Sequence, residues 1–201
     1  MKKVSEHLTQ EECQLILKIP DQRTVEGKRD FAILKIMLGL GLRKQEVCNL
    51  KIGNIKAYNN QYCLLVKGKG NRERRQPIGN ITILQSIQNY RNAIKDCHLS
   101  NIPDENPLFL TLAKHGPWEQ RALTPTAVDC LVRKCAKMAL IKKRITPHSL
   151  RHTFCTLGLR SGIDLITMKN LMGHSSIQST QVYLHSDEER KFEAVKKLTF
   201  A

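Results

Sequence analysis

Apolar residues recur at helical spacing along most of the chain, and only one stretch breaks into short alternating runs. In LTQEECQLIL, Thr9 caps and Glu12 reciprocates three residues later, which predicts a helix from about Gln10 to Leu17 that stops before Pro20. RDFAILKIMLGLGL places Phe31, Leu34, Met37 and Leu38 on one face and reads as a core helix, loosened at its end by Gly39 and Gly41. RKQEVCNL resumes helix and buries Val47 and Leu50. YCLLV and RRQPI flank KGKGNRE, which predicts a hairpin. The pattern turns helical again from Ile81 to Ile94, PLFLT is a short extended piece, and Trp118 falls in a loop. Thr124 or Thr126 opens a helix to about Leu140. Pro147 suits a helix start, with HSLRHTFCTLGLR continuing it, and Gly173 stops the helix of IDLITMKNLMG. SDEERKFEAVKKL carries a second capping box, Ser186 with Glu189, and an apolar stripe at Phe192, Val195 and Leu198. The expected class is α+β, mainly helical, with a small antiparallel β-sheet.

The 201 residues suffice for one domain with a real core, and a hydrophobic content of 41% sets aside disorder. The sequence has no run of about 18 apolar residues and no apolar leader after MKKVSEHLTQ, so the expected location is cytoplasmic, with no membrane partner. Charge changes the picture more. Lys and Arg outnumber Asp and Glu 33 to 18, a net +15, which favours a polyanionic partner through counterion release. The odd cysteine count (Cys13, Cys48, Cys63, Cys97, Cys130, Cys135 and Cys155) without any C-x-x-C pair reads as reduced, mainly buried thiols.

Candidate chemistry lies in four segments. His148 and Arg151 stand at i and i+3 near a helix N-terminus, where dipole and unpaired amides favour an anion, although H-x-x-R alone more often describes a solvated face and decides nothing by itself. Arg43 follows a glycine-rich helix end with Glu46 at i+3, which can aim its guanidinium at a phosphate or make an ordinary surface pair. KGKGNRERR puts Lys67 and Lys69 at a hairpin tip and lacks the Walker A pattern. In LMGHSSIQSTQVYLH, His174 follows a helix-stopping glycine and Tyr183 precedes a capped helix, whereas Tyr58, Tyr62 and Tyr90 sit in packing contexts. A zinc site at His148, His152 and Cys155 is disfavoured, because Arg151 between them repels a dication and no carboxylate completes it.

The order R…K…H-x-x-R…H…Y, carried by GLGLRKQEVCNL, VKGKGNRERRQPI, TPHSLRHTFCTLGLRSG and LMGHSSIQSTQVY, resembles the active-site signature of the tyrosine recombinases. The resemblance runs from about Leu8 to the C-terminus. It implies Tyr183 as nucleophile, Arg43 and Arg151 as the clamp on the scissile phosphate, and Lys69 as general acid, with Lys67 a rival. It further implies His148 as general base or proton shuttle, His174 as a phosphate contact, Glu46 as support for Arg43, and a structural role for His152. Lys67, Arg72, Arg74, Lys142, Lys143 and Arg144 are the expected DNA contacts.

On this resemblance the partner is double-stranded DNA, and no cofactor or metal is expected. A phosphotyrosyl ester keeps the energy of the broken bond, so rejoining needs no ATP. Assembly is expected to be tetrameric on DNA and monomeric without it. The whole of 1–201 is read as a single catalytic domain without the N-terminal core-binding domain usual in the family, and the helix at about 187–198 either as a dock on a neighbouring subunit or as ordinary packing in its own core. The alternatives are type IB topoisomerase-like relaxation and a non-catalytic DNA-binding regulator on the same fold.

Overall fold

The computed structural model describes residues 6–68, 73–96, 103–111 and 121–173. Within them run seven helices and a three-stranded sheet: α1 (Gln10–Leu17), α2 (Val25–Leu40), α3 (Lys44–Cys48), β1 (Ile55–Tyr58), β2 (Gln61–Lys67), β3 (Glu73–Pro77), α4 (Ile81–Asp96), α5 (Pro125–Met138), α6 (Pro147–Arg160) and α7 (Leu165–Met172). The expected α+β class, mainly helical with a small antiparallel sheet, is what the chain adopts. The C-terminal helix expected at about 187–198 and the loop with Trp118 lie outside the described residues.

Local signals place the helix starts. Thr9 and Glu12 form the expected capping box, with the Thr9 amide donating to the Glu12 carboxylate at 2.7 Å. Thr124 caps α5 and Thr146 caps α6, each followed by a proline in the first turn. Gly173 ends α7 in the left-handed conformation.

α2 is the central element. It packs on α4 and α6, and also touches α1 and α3. That placement corrects one expectation: Phe31 and Leu38 are only half-buried, while Ala32, Ile33, Leu34, Ile36, Met37 and Leu40 form the core. A helix with neighbours on several sides buries more than one stripe, and Phe31 instead lies under the Lys35 ammonium, 5.5 Å from the ring centre. A smaller apolar cluster, Cys155, Leu159, Met168 and Met172, joins α6 to α7.

The sheet has the order β1-β2-β3, antiparallel throughout. The β2–β3 pair is the expected hairpin, in register Leu64 to Gln76 and Val66 to Arg74. β1 went unforeseen because IKAY has no buried alternation; its four residues are exposed or half-exposed. It joins β2 through Asn59 and Asn60, whose φ angles of 47° and 60° suit the primed turns of tight hairpins. Val47 and Leu50 are buried as expected, as are Cys48, Cys63, Cys135 and Cys155; Cys13 is half-buried and Cys130 exposed, and all six are free thiols. No described helix is long and apolar enough to cross a membrane.

Candidate active site

Three segments far apart in sequence meet at the N-terminus of α6. The first is the turn after α2. Gly41 holds φ +63°, and a Cβ there would lie 2.3 Å from the Phe154 ring, so only glycine lets the turn seat against α6. The Gly41 carbonyl then accepts from Arg151 Nη1 at 2.5 Å, and Arg151 Nη2 donates to the Met172 carbonyl at the end of α7. Arg151 is 2% exposed, and its guanidinium ties α2, α6 and α7 together.

Arg43 is the residue before α3 and has extended backbone. Glu46, one turn on and 4% exposed, accepts its amide N–H at 2.8 Å and its Nη1 at 2.9 Å. The same carboxylate accepts Arg74 Nη1 at 2.8 Å and Arg74 Nη2 at 3.0 Å, and Arg151 Nη1 stands 3.9 Å away. Burial works against the Glu46 charge. Hydrogen bonds from Arg74 and from the Arg43 amide, with the Arg74 and Arg151 charges, outweigh it and hold the carboxyl below its ordinary range. Glu46 is therefore ionised at neutral pH and set among three guanidiniums.

A cavity of about 300 Å³ opens beside this cluster, lined by Arg43, Lys44, Asp129, Thr146, Pro147, His148 and Arg151. It faces the first turn of α6, where amides and dipole favour an anion. His148 sits at its mouth, exposed at the surface. Partial burial and then the Arg151 and Arg43 charges lower its pKa, so the imidazole is neutral at pH 7 and able to take a proton. Lys44 and Asp129 form an ion pair across α3 and α5 on the cavity wall.

The fold thus brings Arg43, Glu46, His148 and Arg151 together near the start of α6. Lys69, Arg72, His174 and Tyr183 lie outside the described residues. Lys67 is exposed and paired 3.5 Å from Glu73 across the hairpin base. Two expected DNA contacts are placed otherwise. Arg74 is 16% exposed with both terminal nitrogens on Glu46. The Lys143 ammonium holds Glu12 at 2.7 Å and the His7 carbonyl at 3.2 Å, strapping the segment before α1 onto the body. Lys142 and Arg144 are exposed, and the Arg144 amide donates to Glu6. His152 is structural in its surroundings: it is 6% exposed, bonded to Thr156 at 3.1 Å and stacked on His7 with ring centres 5.3 Å apart. Burial, then the neighbouring His7 charge, push its pKa down to about 4.

Lys44, Asp129 and Thr146 were not foreseen at the site. Thr146 had a signal in its T-P capping pattern; an ion pair between α3 and α5 has none before the fold is known. Arg74 had one too, since it shares the inner face of β3 with buried Gln76 two residues on, ahead of buried Ile78.

Residues 6–190 match the model of the phage integrase family. The chain belongs to this family, the tyrosine recombinases. Among curated relatives, a tyrosine recombinase of Pseudothermotoga lettingae is 32% identical over 197 residues, covering 98% of this chain and 62% of the relative. XerD of Staphylococcus haemolyticus is 35% identical over 184 residues, covering 92% and 59%. This tyrosine-recombinase chain therefore spans about three-fifths of the length of the curated relatives it matches. Of solved structures, the XerH site-specific recombinase bound to palindromic difH substrate, a post-cleavage complex, superposes with a TM-score of 0.78 at 27% identity, covering 96% of this chain and 53% of that one. XerA recombinase superposes with a TM-score of 0.74 at 25% identity, covering 100% and 68%.

Proposed function

We propose that this chain carries the catalytic centre of a site-specific DNA recombinase, which cleaves one strand through a 3′-phosphotyrosyl bond to Tyr183 and passes it to a second duplex through a Holliday junction. The supporting observation is the convergence of Arg43, Arg151 and neutral His148 on one cavity at the α6 N-terminus. A phosphodiester in that cavity meets two guanidiniums able to stabilise the charge that grows on its non-bridging oxygens. Tyrosine, with an ordinary pKa near 10, needs its proton removed as it attacks, and in this reading His148 is the base that accepts it. The Tyr183 oxygen bonds to phosphorus, the bond from phosphorus to the 5′-oxygen breaks, and Lys69 gives that oxygen its proton. His174 adds a phosphate contact. Rejoining is the same exchange in reverse, with a 5′-hydroxyl as nucleophile.

Double-stranded DNA is the partner this reading requires, and the net charge of +15 supports it. Lys67, Arg72, Lys142 and Arg144 would hold phosphates beside the scissile one; Arg74 and Lys143 are already used internally. We further propose tetrameric assembly on DNA, with the apolar face of residues 187–198 docking on a neighbour.

The deciding experiment incubates the protein with nicked suicide duplexes covering the DNA beside its gene. The expected result is a covalent adduct that survives denaturation and is absent in Tyr183→Phe. Sequence-indifferent relaxation of supercoils would point to topoisomerase action instead. Site-specific binding without an adduct would make the chain a regulator.

A further inference from the structure

Arg74 is the part of the site that the family signature leaves without a role. Its side chain comes from the inner face of β3 and reaches the α3 carboxylate in a two-pronged pair, 2.8 and 3.0 Å. It is much less exposed than Arg43, 16% against 43%. It also lies against the end of α7: a Cβ built on Gly173 would stand 3.1 to 3.2 Å from Arg74 side-chain atoms, its guanidinium included. The fork is thus enclosed between α3 and the α7 terminus, and its Nε–H has no acceptor among the described residues. Glu46 in turn holds Arg43 at both its amide and its Nη1. Arg43 lines the cavity, whereas Arg74 does not.

We infer that Arg74 is a positioning residue: by fixing both oxygens of Glu46 it sets the direction of the Arg43 guanidinium toward the phosphate cavity, without touching DNA itself. This rests on the recombinase reading above. A point cation cannot replace it fully, because one ammonium cannot present two parallel donors to both carboxylate oxygens.

The test is a cycle of Arg74→Met, Arg43→Lys and the double variant, read by single-turnover adduct formation on a nicked duplex and by DNA affinity. Arg74→Met should lower the cleavage rate between about tenfold and a hundredfold, with affinity changed less than about twofold. Arg74→Lys should recover part of the rate. In the Arg43→Lys background, Arg74→Met should cost less than about threefold, since nothing is left to aim. An equal loss in both backgrounds, or wild-type cleavage by Arg74→Met, would overturn the inference. If Arg74→Met fails to fold, Arg74→Lys takes its place in the same cycle. A second readout needs no activity: nitrogen-15 spectra of the arginine side chains should show hindered rotation of the Arg43 guanidinium in the wild type and freer rotation in Arg74→Lys. Unchanged rotation would sink the proposal even if the wild type cleaved nothing, an outcome that would itself count only against the recombinase reading.

Discussion

Glu46→Gln is an isosteric change that disturbs four hydrogen bonds at once. The carboxylate accepts four hydrogen bonds, from the Arg43 amide, Arg43 Nη1 and both Arg74 terminal nitrogens. A glutamine fits the same space but has one accepting oxygen, so its amide group must face at least one guanidinium donor to donor. It also leaves Arg74 and Arg151, whose side chains are 16% and 3% exposed, without the opposite charge they surround. Arg43 is open enough to water that its bond adds little. Breaking a buried pair costs about 3–5 kcal/mol, which lowers the melting temperature of a domain this size by about 6–20 °C. Thermal unfolding followed by circular dichroism at several pH values is the assay. Because the folded pKa of Glu46 lies below 4.5, its contribution is complete above that value and fades as pH falls through the folded pKa. The gap between wild type and Glu46→Gln should therefore be widest at neutral pH and close in acid. Melting within 2 °C of the wild type at pH 7, or a gap indifferent to pH, would refute the reasoning.

Three further outcomes follow from the same arrangement of charges and backbone. Since burial and two arginine charges lower the His148 pKa, the pH profile of adduct formation should stay flat through pH 7 and fall only below 6.5; a midpoint above 6.5 would remove His148 as base. His152, with its pKa near 4, should keep unprotonated ring resonances in proton NMR down to about pH 5, and folding should lose about 3 kcal/mol between pH 6.5 and 4 because the unfolded chain binds that proton first. Gly41→Ala must adopt a left-handed backbone and meet the Phe154 ring, which together should cost about 2–5 kcal/mol in chemical denaturation; it should also slow cleavage, because the Gly41 carbonyl anchors Arg151.

How much of this was legible in the sequence depended on whether the cause was local. Helix starts are local: Thr9 and Thr124 announced theirs through side chains that satisfy nearby amides, and Pro147 through a ring suited to the first turn. The pairs Arg43 with Glu46 and His148 with Arg151 were visible because one helical turn brings them together whatever the rest of the fold does. β1 was not visible, because its side chains are mostly exposed and pairing with β2 is what makes it a strand. Phe31 and Leu38 misled for the opposite reason: one helical stripe cannot tell how many neighbours a helix will have. Arg74 and Lys143 were expected as DNA contacts, yet each has a carboxylate partner, Glu46 and Glu12, on another element. A basic residue in a basic protein reads as a DNA contact until a buried carboxylate is found for it.

The buried carboxylate also explains how so much positive charge can be held in one place. Three guanidiniums converging in a largely buried cluster would repel one another and be poorly solvated. Glu46 offsets one of the three charges and fixes Arg43 and Arg74 at 2.8 to 3.0 Å, so the cluster keeps a net positive charge beside the cavity and is held together from within. Donors set before the substrate arrives need no reorganisation when charge develops on a phosphate, which is where electrostatic stabilisation is most effective. A glutamate that looks misplaced at a site for an anion is therefore a condition of its strength.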